Sequence, residues 1–77
     1  MSSTLDRVIR VTAKVLVRDP LMIKESSRFV QDLGAESVQS IELVAAFEEE
    51  FELEMEEEAA LSVKTVGDAV RFIDALL

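Results

Sequence analysis

Leu33-Gly34-Ala35-Glu36-Ser37-Val38-Gln39-Ser40-Ile41-Glu42-Leu43-Val44-Ala45-Ala46-Phe47-Glu48-Glu49-Glu50-Phe51 is the stretch on which the fold turns. Gly34 gives a turn, and the residues beyond it read as a helix over 37–51. Val38, Ile41, Leu43, Val44, Ala45, Ala46, Phe47 and Phe51 cover much of its circumference. An apolar band that wide calls for burial against more than one neighbour, or for burial plus an exposed docking strip.

The flanks supply the neighbours. Leu5, Val8, Ile9, Thr12, Val15 and Leu16 follow one helical face, with Ser3 or Thr4 as cap and Asp6 in the first turn. Val11, Ala13, Val15 and Val17 also alternate as a strand would, but the periodic run is long and no partner strand is in view. Asp19-Pro20 is expected to stop this helix. Arg7, Arg10, Lys14 and Arg18 make a basic stripe that reads as a solvated face. Residues 19–36 form a long connection, which needs pins, and Leu21, Ile23, Phe29 and Leu33 are the candidates. A short third helix is expected at 56–61. Thr65 caps a fourth, with Asp68 completing a capping box and Val66, Ala69, Val70, Ile73 and Leu76 or Leu77 as its apolar stripe. The expected fold is all-α, a small bundle of three main helices plus one short helix, in a single domain spanning 1–77.

Composition narrows the chemistry. The 77 residues include no cysteine and no histidine. Disulfides, cysteine–histidine nucleophile pairs and ordinary zinc sites are therefore excluded. No signal-peptide pattern is present, and no apolar run is long enough to span a bilayer, so a cytoplasmic location is expected; a monomer is expected as well. The net charge of −8 is unevenly spread: +3 over residues 1–28, −11 over 29–63, and zero over 64–77. A centre with eleven acids and no base argues against nucleic acid as a partner. It suits docking against basic protein patches, although acids also serve solubility alone. Phe47, Phe51, Leu53 and Met55 interrupt the glutamates, so this is not a disordered acidic tail.

Ser37 is the chief candidate for chemistry. Its hydroxyl is expected to be exposed at the helix mouth, where unpaired N–H groups and the positive end of the dipole favour a phosphate. A lone serine there is, taken alone, more often an N-cap. Glu36, Glu42, Glu48 and Glu49 form a second set. Glu42 and Glu49 share a helix face, and Val38, Ile41 and Ala45 make an apolar strip beside them. That combination suits brief, fast docking of partner proteins, against the plainer reading of a solvated face. Exposed glutamates among like charges lack the distinct environments that separate a catalytic acid from a base, so no enzyme activity is expected. Glu48 to Glu58 lacks the ligand pattern and glycine of a calcium loop, so no metal site is expected. Phe29, Val44, Phe47, Met55, Ala60, Val63, Val70 and Ile73 are candidates for a core that opens to cargo, although packing alone explains each.

An ordered block runs from Phe29-Val30 through Asp32-Leu33-Gly34-Ala35-Glu36-Ser37, Ile41-Glu42-Leu43-Val44 and Phe47-Glu48-Glu49-Glu50-Phe51 to Thr65-Val66-Gly67-Asp68-Ala69-Val70. It resembles the bacterial acyl carrier proteins over most of the domain. The resemblance implies a covalent 4′-phosphopantetheine arm on Ser37, attached by a phosphopantetheinyl transferase. Acyl thioesters on the arm would be delivered to fatty-acid, polyketide or other lipid biosynthetic enzymes. Glu36 and Val38 depart from the family's Asp-Ser-Leu, Gln39 stands where an acid is common, and Met55-Glu56 replaces Ile-Pro. These changes bear on partner recognition, leave the acceptor hydroxyl intact, and suggest a divergent or specialised member. The alternatives are a carrier of aminoacyl or peptidyl groups and an acidic helical adaptor without an arm.

Overall fold

The computed structural model describes residues 3–77. Four α-helices succeed one another: α1 (Thr4–Leu16), α2 (Ser37–Phe51), α3 (Glu57–Leu61) and α4 (Val66–Leu76). Among the described residues there is no strand, only an isolated bridge between Arg28 and Thr65. The all-α expectation and all four helices hold.

Ser3 is the cap of α1, its hydroxyl accepting from the Asp6 N–H at 3.1 Å. Thr4 instead donates its hydroxyl to Asp74 at 2.7 Å, joining the first turn of α1 to the last turns of α4. The helix ends sooner than Asp19-Pro20 would impose. Val17 takes up the left-handed conformation at φ 54°, and the Arg18 N–H closes back on the Ala13 carbonyl at 2.9 Å. A β-branched residue adopts that conformation at a cost.

Asp19 and Pro20 then start a separate single turn of 3₁₀ helix, Pro20–Met22, with the Asp19 carboxylate accepting from the Leu21 N–H at 2.9 Å. This turn points Leu21 outward, 87% exposed, so the expected pin at Leu21 is wrong. Ile23, Phe29 and Leu33 are buried as expected. The connection is also pinned through its backbone. Phe29 N–H donates to Lys64 at 3.0 Å, Val66 N–H to Ser27 at 2.9 Å and Gly67 N–H to Glu25 at 2.8 Å. A Cβ at Gly67 would lie 2.9 Å from Glu25 Cγ, which accounts for glycine there.

The core lies where α1, α2 and α4 meet. Val8, Thr12 and Leu16 come from α1, Leu43, Phe47 and Phe51 from α2, and Val66, Ala69 and Ile73 from α4. Thr65 and Asp68 form the expected box at the start of α4. Leu76 and Leu77 do not extend its buried stripe; both are exposed beyond the end of the core.

Candidate functional site

The chain entering α2 is held on both sides of Gly34. Leu33 and Ala35 are buried, and their N–H groups donate to the carbonyls of Arg28 at 3.0 Å and Phe29 at 2.9 Å. Gly34 itself sits at φ 70°, and a Cβ there would stand 3.2 Å from an Arg18 guanidinium nitrogen. A tight, pinned turn thus aims the first residue of α2 in a fixed direction.

That residue is Ser37, and it is exposed. It is not the cap. Glu36 occupies the cap position, and Gln39 reaches back so that its Oε1 accepts from the Glu36 N–H at 3.0 Å. The first helical bond runs from the Ser40 N–H to the Glu36 carbonyl at 2.9 Å. The cap does not require the Ser37 hydroxyl, which removes the structural explanation that sequence position alone favoured. The N–H groups of Ser37 and Val38 have no carbonyl one turn before them inside the helix, and the dipole's positive end faces outward. An esterified phosphate fits this place: acceptor oxygens would meet unpaired donors.

Below Ser37, Val38 and Ile41 are 70% and 52% exposed, and Glu42, Ala45 and Glu49 continue the same outward face. Glu36 is exposed at its head. Across a groove from Glu42, Ala45 and Glu49 lie Val11, Lys14 and Val15 of α1. Glu48 stands apart from this set. It is half-buried, and its carboxylate accepts from the Met55 N–H at 2.8 Å, so it holds the turn after α2. Nothing in a single sequence distinguishes Glu48 from its neighbours, because its partner lies beyond the end of the helix.

On the other side of α2 lies a cavity of about 250 Å³, with Phe29, Val44, Phe47, Met55, Ala60 and Val63 in its wall. These six of the expected cargo residues come together. Val70 and Ile73 do not join them; they pack in the core on α4, with Ile73 fully buried. The sequence reading missed Leu43, which is deeply buried, and Ser40, both of which line it. Ser40 lies one turn from Ser37, a spacing that places both near one face and could have signalled it. Among the described residues no helix is long and apolar enough to cross a membrane.

Comparison with known proteins agrees with this geometry. Residues 6–73 match the family described as "Phosphopantetheine attachment site". An acyl carrier protein of Phenylobacterium zucineum is 47% identical over 77 residues, covering 100% of this chain and 98% of the relative. One from Caulobacter vibrioides is 48% identical over 73 residues, covering 95% and 94%. In fold, a Mycobacterium tuberculosis structure described as "a putative acyl carrier protein" superposes with a TM-score of 0.89 over 97% of this chain and 100% of its own, at 24% identity. The chain therefore belongs to the acyl carrier protein family, whose members are carriers on a phosphopantetheine arm and not enzymes.

Proposed function

We propose that Ser37 is the attachment point of the arm, and that the protein carries acyl groups as thioesters to lipid or polyketide biosynthetic enzymes. The observation that carries this is Ser37's position: exposed, first in α2, and released from capping by Glu36 and Gln39. When bound, the arm supplies the thiol that a chain without cysteine lacks. In the loading step, Ser37 Oγ bonds to phosphorus, the pyrophosphate bond of coenzyme A breaks, and the adenosine bisphosphate half leaves. The hydroxyl proton passes to a base on the transferase.

Two features support the acyl reading over an aminoacyl cargo. The cavity beside α2 is walled largely by aliphatic and aromatic side chains, and Ser40 puts it within one turn of Ser37. The outward face of Val38, Ile41, Glu42, Ala45 and Glu49, headed by Glu36, is proposed as the docking surface for the transferase and acyl enzymes. We assign Glu48 only a supporting part there, since Met55 engages it. The dense acidic charge keeps copies apart and favours a monomer.

Co-expression with a transferase, followed by intact mass, tests the assignment. One adduct is expected on the wild type and none on Ser37→Ala, with unchanged helical content. An adduct that persists in Ser37→Ala moves the site elsewhere; no adduct on the wild type favours the armless adaptor. Loading with acyl and aminoacyl substrates then separates the two carrier readings. Reversing Glu42 and Glu49 to Lys is expected to slow loading and weaken its salt dependence, because exposed charge acts mainly on encounter.

A further inference from the structure

We infer that the elbow after α1, where Val17, Leu21 and Met22 stand exposed around Arg18, is a second contact for the phosphopantetheinyl transferase, opposite in charge to the acidic face of α2. This rests on the assignment of Ser37. The elbow lies at the Ser37 end of the bundle. Arg7 joins the start of α1 to Glu50, near the end of α2. At the other end of α1, an Arg18 guanidinium nitrogen stands 3.2 Å from where a Cβ on Gly34 would be, in the turn that leads to Ser37. From there the chain crosses to Glu25, whose carbonyl accepts from the Gly67 N–H in the first turn of α4.

Three apolar side chains on this crossing contribute nothing to the core. Val17, Leu21 and Met22 are 81%, 87% and 72% exposed. Val17 also holds φ 54°, which is costly for a β-branched residue, and its side chain gains no burial there. Ile23 is buried and the Asp19 carboxylate accepts from the Leu21 N–H, so the turn is anchored while it presents Leu21 and Met22 outward. Residues 14–25 carry Lys14, Arg18 and Lys24, all exposed, against Asp19 and Glu25. The local charge is thus reversed from that of α2.

Reach selects the partner. An enzyme that works on the thioester meets it at the far end of the arm. The transferase must bring the coenzyme A phosphorus to the Ser37 hydroxyl itself, so its surface closes on whatever adjoins Ser37. Charge complementarity describes that surface: apolar residues edged with carboxylates against the elbow, and bases against Glu36, Glu42 and Glu49.

The experiment follows loading of the apo-protein from coenzyme A, at low salt, by a transferase that loads the wild type. Leu21→Ser combined with Met22→Ser is expected to lower kcat/KM about five- to twentyfold, mainly through KM. Arg18→Glu is expected to lower it too, although by net charge alone a more acidic protein would meet a basic partner faster. Leu77→Ser removes an apolar side chain, 67% exposed, at the opposite end of the bundle and should load like the wild type. A rate at or above that of the wild type in either elbow variant overturns the inference, as does equal slowing in Leu77→Ser. Because Arg18 also adjoins the turn before Ser37, a second measurement separates contact from local folding. Transferase titrated without coenzyme A into the isotope-labelled wild type should shift or broaden the amide signals of Val17, Leu21 and Met22. Signals there that stay in place while those of α2 move overturn it as well. No adduct on the wild type, or one that survives in Ser37→Ala, defeats instead the assignment of Ser37, so the two failures are distinguishable.

Discussion

Arg7 of α1 grips Glu50 of α2 twice, through Nε to the carboxylate at 2.8 Å and through Nη2 to the backbone carbonyl at 2.7 Å. Its guanidinium also lies 4.3 Å from the centre of the Phe51 ring. The basic stripe on α1 is thus more than a solvated face: at Arg7 it fastens α1 to the far end of α2 from Ser37. The planar fork is what permits two bonds and a ring contact together. Arg7→Ala is expected to destabilise the fold by about 1–2 kcal/mol. Arg7→Lys should recover less than half of that, because a point charge cannot reproduce the fork. Urea unfolding checks both, and a lysine variant as stable as the wild type would reduce the contact to simple charge pairing.

Thr12 poses the opposite problem. It is 0% exposed, and its hydroxyl has no hydrogen-bond partner among the described residues. A buried, unpaired hydroxyl costs about 1–3 kcal/mol. Thr12→Val keeps the branched shape and removes that polar group. We expect stabilisation of about 1 kcal/mol, seen as a higher urea midpoint with unchanged slope. A lower midpoint would mean that the hydroxyl has a partner in solution.

The contrast between these residues marks what is legible in the sequence. Thr12 falls on the buried face of α1 by helical spacing, which is a local signal. The same signal gives α2 its span and α4 its capping box. Arg7 and Glu50 are 43 residues apart, and no local pattern pairs them. Leu21 departs from expectation because apolarity states a preference for burial, while the Asp19–Leu21 bond decides the direction of the turn. Val17 does so because a β-branched residue is among the poorest candidates for positive φ, yet it is there that the chain turns so that the Arg18 N–H closes back on the Ala13 carbonyl. At the site, Ser37 is legible, whereas its release from capping depends on Gln39 turning back toward Glu36.

The turn that carries Phe29 and Leu33 should be sensitive to acid. Asp32 accepts from Arg28 Nε at 3.0 Å and from the Arg28 N–H at 2.8 Å. The guanidinium bond is the main reason its carboxyl lies below the ordinary aspartate range, and the backbone bond adds to it. Because the folded pKa is depressed, the stabilisation is present above the unfolded value of about 3.9 and is lost as pH falls through the lower folded value. Asp32→Asn is expected to flatten part of the stability loss between about pH 5 and pH 2. Only part is expected because Asp68, lowered chiefly by Arg71, titrates in the same sense. Urea midpoints across that range that run parallel in both proteins would remove Asp32 from the account.

Salt should act against the dominant charge. Eleven acids lie between residues 29 and 63 with no base among them. Arg7 and Arg28 reach in from outside to pair with Glu50 and Asp32. Those two pairs are partly exposed, and such pairs contribute about 0–1 kcal/mol each, so screening them costs little. Glu52, Glu54, Glu56, Glu57 and Glu58 meanwhile crowd an exposed stretch after α2, where like charges repel within the screening range. Ions at 0.1 M shorten that range to about 10 Å. The melting temperature is therefore expected to rise from low to moderate salt. Glu54→Gln removes one of the crowded charges without touching the helix ends, so it should raise the low-salt melting temperature and reduce the further gain from salt. A melting temperature that falls steadily as salt is added would show that the ion pairs made by the basic residues of the first 28 outweigh the repulsion, making the α1 stripe the structural counterweight to the acidic centre.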